Sequence, residues 1–162
     1  MLVYQLARQE AENLLKEHWD GELPVRLAPF TEAVNANKYE TSLTGGISGM
    51  VSKAPGTPAA IILNNQDSVA RRRFTWAHEL GHIVERREVA QDSEYSFSDH
   101  RGRKYDLHEF FADEFAGALL MPVDELRRAQ EEGLTRGQIA QRFHVSVQAL
   151  EKRLERLEVK PV

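Results

Sequence analysis

The stretch FTWAHELGHIV, Phe74 to Val84, decides the reading of this chain. It holds a His-Glu-x-x-His pattern inside a run of helical hydrophobic spacing. Val69, Phe74, Ala77, Leu80 and Val84 recur with the period of a helix, which predicts one from Ser68 to about Glu85. Residues four apart share a helix face, so His78 and His82 can reach one cation together. Glu79 projects beside them, where a carboxylate can take a proton from an attacking water. Two features argue against a core helix that merely carries histidines. Gly81 in mid-helix costs about 1 kcal/mol relative to Ala, and its missing side chain leaves room for a close approach. Imidazoles beside an apolar stripe are expensive to bury without partners.

Composition narrows what such a site can be. The chain has 162 residues, enough for one compact domain and marginal for two. It contains no cysteine, so a metal must be held by His, Asp or Glu. A net charge of −4 argues against a protein that coats nucleic acid, though it is compatible with a local basic patch. No apolar run approaches the length of a membrane span. The start, MLVYQLARQEAENLLKEH, is amphipathic and acidic, unlike a signal peptide, and a cytoplasmic protein is expected.

Outward from the central helix, the periods alternate. Leu6, Ala7, Ala11, Leu14 and Leu15 predict a helix over Tyr4 to His18, ended by Asp20-Gly21. Pro24 is placed to open a second helix through Val25, Leu27, Phe30, Ala33 and Val34. KYETSL, ISGMVSK and AAIILN, separated by TGG and APGTP, predict three strands of a small antiparallel sheet, the first two joined tightly around Gly45-Gly46. Arg86 to Asp106 shows no clear period and reads as a loop long enough to be functional. Helices follow from Leu107 to Leu120 and from Val123 to Glu132. Two more lie in LTRGQIAQRFHVSVQALEKRLERL, with Thr135 and Ser146 as N-caps. The expected class is α+β: a mostly helical domain with a three-stranded antiparallel sheet.

A catalytic zinc usually has three protein ligands and an open position, so one more ligand must come from elsewhere. Downstream, Asp99, His100, Asp106, His108, Glu109, Asp113 and Glu114 are candidates. Glu109 and Asp113 stand out, four apart on a predicted helix that Phe110, Phe111, Phe115 and Leu119 anchor. One can ligate the metal while the other accepts the second ring N–H of a ligating histidine and fixes its tautomer. His108 is the rival ligand, about 100° away from Glu109 around that helix. Small residues at Ala112 and Ala116 would let the helix approach Gly81 closely.

RRRFTWAHELGHIV followed by HEFFADEFAGALLMP resembles the ImmA/IrrE family of metallopeptidases. The second motif reads Glu109, Phe110, Phe111, Ala112, Asp113, then Leu119 to Pro122. The resemblance extends upstream to IILNN and downstream to FHVSVQALEKRLERL. It implies a gluzincin-like single metallopeptidase domain over 1–162, with a zincin-like core at 1–133 and a helix-turn-helix-like extension at 134–162. It also implies His78, His82 and Glu109 as metal ligands, Glu79 as the catalytic base, and Asp113 orienting a histidine. Zinc is the default ion for His-His-Glu, with manganese as the alternative. Family members commonly cut a helix-turn-helix (XRE/Cro-CI-like) transcriptional repressor, releasing a mobile element or a stress response. Many also carry a further helix-turn-helix or sensor domain. This chain shows neither, so sensing is expected from another protein or from metal and redox supply. The substrate is expected to add as a strand along a sheet edge at Ile61, Ile62, Leu63 and Asn64. Tyr95, His100, Tyr105 and His108 are candidates for contacting the oxyanion or the substrate.

Readings from other classes compete. Arg136 to Phe143, a turn at His144-Val145 and a helix from Ser146 resemble a helix-turn-helix, which suggests a DNA-binding regulator. Its second helix presents Glu151, Glu155 and Glu158 among Lys152, Arg153 and Arg156. Carboxylates near phosphates are unfavourable, and this argues against direct DNA binding. A toxin or regulator whose partner is a helix-turn-helix antitoxin would share the fold but not the physiology. Arg71, Arg72 and Arg73 read either as a solvated helix turn or as a partner-docking patch.

Overall fold

The computed structural model describes residues 1–99 and 106–158, together with the backbone of His100. The elements are α1 (Val3–His18), α2 (Ala28–Ala33), β1 (Ala36–Thr41), β2 (Ile47–Lys53), β3 (Ala59–Asn64) and α3 (Val69–Val84). A π-helical extension of α3 covers Glu85–Ala90. Then come β4 (Tyr95–His100), α4 (Leu107–Leu120), α5 (Val123–Glu131), α6 (Arg136–Phe143) and α7 (Val147–Leu157). No helix among the described residues is long and apolar enough to cross a membrane.

The class is α+β, but the sheet differs from the expected one. Among the described residues it has four strands in the order β1-β3-β2-β4. β1 runs parallel to β3, whereas β2 is antiparallel to both β3 and β4. The physical reason lies in β3. AAIILN is apolar on both faces and buried almost throughout, and such a run belongs inside a sheet. β3 therefore takes a neighbour on each side, which separates β1 from β2. The tight hairpin joins β2 to β3 instead, with the Thr57 N–H donating to the Ala54 carbonyl. The expected substrate edge at Ile61, Ile62, Leu63 and Asn64 is accordingly an interior strand. The Asn64 amide is used within the fold, donating to the Leu43 and Ile47 carbonyls.

The segment read as a loop contains β4. YSFSDH alternates, and the partners Lys53↔Tyr95, Val51↔Phe97 and Gly49↔Asp99 set its register on β2. The second helix opens on Pro29 rather than Pro24, since proline suits the first helical turn.

α3 packs against β2 and β3 on one side and against α4 on the other, and α4 in turn meets α1 and α7. Two glycines make this layering close. A Cβ on Gly49 would lie 2.5 Å from Cγ2 of Thr75 on α3. One on Gly81 would lie 2.9 Å from the Ala112 Cα on α4. Polar side chains cap α3, α6 and α7: Ser68 accepts from Arg71 N–H, Thr135 from Gln138 N–H and Ser146 from Ala149 N–H. All three arginines of the triple run are engaged within the molecule. Arg71 donates to the Ser48 hydroxyl, and Arg72 lies 3.6 Å from Glu40. Arg73 donates to the carbonyls of Val25, Phe143 and His144, tying the α6–α7 turn to the start of α3.

Candidate metal centre

α3 presents His78, Glu79 and His82 on its inner side, where all three are buried. α4 faces them with Glu109 and Asp113. The Asp106 side chain caps that helix by accepting the Glu109 N–H at 2.9 Å, which fixes the turn that carries Glu109. Glu109 spans the two imidazoles. Its Oε2 is 3.0 Å from Nε2 of His78, and its Oε1 is 3.3 Å from Nε2 of His82. Asp113 Oδ1 lies 2.8 Å from Nδ1 of His78. The two rings stand nearly perpendicular, with centroids 4.8 Å apart.

Asp99 on β4 completes the group. Its Oδ1 is 3.2 Å from Nε2 of His78 and its Oδ2 is 3.6 Å from Nε2 of His82. The sequence puts Asp99 among seven candidates without singling it out. The one usable signal is the alternation Tyr95, Phe97, Asp99, which places these residues on one strand face. Phe97 stacks on the His82 ring at 4.6 Å and holds it from the sheet side.

The other expected residues fall elsewhere. His108 turns away from the group, with Nδ1 2.9 Å from Glu85 Oε1. Tyr95 sits at the far end of β4 against Phe97, and burial pushes its hydroxyl pKa up to about 12. The His100 side chain and Tyr105 lie outside the described residues.

The donor set suits a cation. A neutral His78 that donates its Nδ1–H to Asp113 presents a lone pair at Nε2 to two carboxylates. That arrangement is repulsive unless a positive charge stands between them. Donors about 2.1 Å from a tetrahedral ion lie roughly 3.4 Å from one another, and the four Nε2-to-carboxylate distances fall around that value. Among the described residues, His82 Nε2, which faces the carboxylates, and both oxygens of Glu79 make no hydrogen bond. Buried polar atoms left this way are costly, and they mark a place arranged for a ligand. The buried group His78, Glu79, His82 and Asp99 can bind a metal ion.

Protonation follows the same crowding. Burial pushes the Glu79 pKa well above the usual carboxylate range, with Asp99 and Glu109 adding to the rise and His78 opposing it. Burial works to lower the His78 pKa, but Asp113, Asp99 and Glu109 outweigh it and hold it well up. Burial likewise acts to raise Asp99 and Glu109, and the histidine contacts prevail and lower both. A cleft of about 520 Å³ opens beside the group. It runs from His78, Asp99 and Glu109 between the first turns of α3 and the N-terminal half of α7, where Ser146, Gln148 and Lys152 form the far wall.

A family model described as the IrrE N-terminal-like domain, of a peptidase family, matches residues 24–155. The chain belongs to this family. No curated protein matches it. The IrrE-like span includes the sheet, α3, α4 and most of α7, and it begins after α1. It thus takes in every residue of the buried group, and with them both sides of the cleft. As a member of a peptidase family the chain has a chemistry to which a buried acid beside two histidines is suited.

Proposed function

We propose that the chain is a zinc-dependent endopeptidase that cuts a helix-turn-helix repressor at one site and so relieves repression of a mobile element or stress response. Manganese is the alternative ion. The observation that carries the reading is the convergence of three side chains from two helices. His78 and His82 point their Nε2 atoms at the Glu109 carboxylate, while Asp113 holds His78 from behind. His78, His82 and Glu109 would hold the ion. When bound, it would polarise the scissile carbonyl and make water a better nucleophile. Asp113 accepts the Nδ1–H of His78 and leaves Nε2 as the ligating atom. Glu79 takes the proton from the attacking water and returns it to the leaving amine. A pKa raised by burial brings such a base closer to neutral pH, where proton transfer is efficient. The choice of repressor as substrate rests on the family, and it sets the reaction in the cytoplasm.

Direct DNA binding through α6 and α7 is not part of this proposal. Arg153 donates to the Met121 carbonyl and Arg156 pairs with Glu114 at 3.2 Å, so two cations of the supposed recognition helix are used inside the fold. The test is incubation of the purified chain with a helix-turn-helix repressor from the same genome. One discrete cut, abolished by chelator and by Glu79→Gln, is expected. Cleavage by Glu79→Gln at the wild-type rate would overturn the assignment.

A further inference from the structure

Glu79 and His82 are both 0% exposed, and neither lines the cleft that reaches His78. A peptidase needs an open position for water and the scissile carbonyl. Asp99 lines that cleft and lies 3.6 Å from Nε2 of the buried His82. It approaches the same two nitrogens as Glu109, at 3.2 and 3.6 Å against 3.0 and 3.3 Å. Two imidazoles and two carboxylates make four donors, which is the complete set of a structural ion rather than the three of a catalytic one.

The geometry points to Asp99 as a fourth, detachable metal ligand: an inhibitory plug, carried on edge strand β4, that holds this peptidase at low basal activity until an incoming substrate strand displaces β4. The inference rests on the metallopeptidase reading above and adds its regulation. Among the described residues β4 is an edge strand, paired with β2. Its ladder is irregular between Ile47 and Gly49, directly beside the Asp99 pairing. Outward residues Ser96 and Ser98 are polar. Phe97, stacked on His82 and covered by Arg86 at 4.8 Å, is the main apolar anchor. Lifting β4 would also bare the backbone edge of β2, and an exposed sheet edge is where an extended peptide adds. One movement thus frees the fourth coordination position and opens a strand-binding edge beside it.

Cobalt-loaded wild type, Asp99→Ala and Asp99→Asn are compared by metal affinity, visible spectrum and affinity for acetohydroxamate, a small ligand that needs an open position. Loading with metal itself reports that the variant is folded at the site. Removing the carboxylate is expected to weaken metal binding, to change the cobalt spectrum, and to tighten acetohydroxamate at least tenfold. Hydrolysis of an unstructured peptide should rise with it. Variants that load metal yet keep the wild-type spectrum and hydroxamate affinity overturn the plug and leave the metal centre standing. A wild-type chain that takes up no metal overturns the centre, and the plug with it.

Discussion

At the scale of single residues, the site is built on hydrogen-bond geometry that sequence spacing makes accessible. A four-residue step puts His78 and His82 on one face of α3, and the same step puts Glu109 and Asp113 on one face of α4. Asp113→Asn keeps the shape but weakens the acceptor behind His78, and metal affinity should fall roughly 10–100-fold. Titration with a competing chelator checks this, and an unchanged affinity would make Asp113 an ordinary surface acid. Glu79 supplies a second prediction. Its folded pKa is raised above the ordinary value of 4.5. Below that value the group is protonated in both states and costs nothing electrostatically. As pH rises, the unfolded chain ionises first, so stability is lost until the folded pKa is passed. Gln cannot ionise. The metal-free Glu79→Gln protein should therefore melt higher than metal-free wild type at pH 7, with the gap closing toward pH 4.5. Equal melting temperatures at pH 7 would show that the buried acid is not under strain. Asp99 was the residue sequence spacing could not select, because its position depends on strand pairing rather than on a helical repeat.

At the scale of elements, helices were more legible than sheet order. The spans of α3 and α4 follow from periodicity and caps, since a helix is closed by bonds within its own segment. Strands pair with partners that sequence does not name. Gly45-Gly46 looks like a hairpin turn, yet burial of the doubly apolar β3 decides the order instead. β4 is hard to read in the sequence because it is half polar, and its burial comes from packing on α3. The contact between α3 and α4 gives the prediction at this scale. Gly81→Ala should gain up to about 1 kcal/mol in helix propensity. Its Cβ would however meet Ala112 Cα at 2.9 Å and Phe115 Cβ at 3.2 Å. Relieving that overlap costs about 1–3 kcal/mol and pushes α4 outward. The variant should be less stable to denaturant and should hold metal more weakly, because Glu109 and Asp113 ride on the displaced helix. A more stable variant with full metal affinity would contradict the close packing.

At the scale of the whole molecule, the C-terminal helices are integral to the site. Ile139, Ala140, Phe143, Val145 and Leu150 join the same buried cluster as α1, α3 and α4. Arg73 reaches across to two carbonyls at the end of α6, and Arg153 donates to the Met121 carbonyl at the end of α4. α7 then forms one wall of the cleft. The apolar residues of α6 and α7 thus share one buried cluster with the helices that carry the site. Removing residues 134–162 should abolish cooperative unfolding rather than leave a stable core. A truncated chain with a sharp melting transition near that of the full chain would contradict this. On the proposed reading His78, His82 and Glu109 hold the metal ion and His108 stands outside the centre. Metal content of the purified wild type, Glu109→Ala and His108→Ala tests it most directly. About one ion per wild-type chain is expected, most of it lost in Glu109→Ala and retained in His108→Ala. An empty His108→Ala beside a fully loaded Glu109→Ala would contradict it.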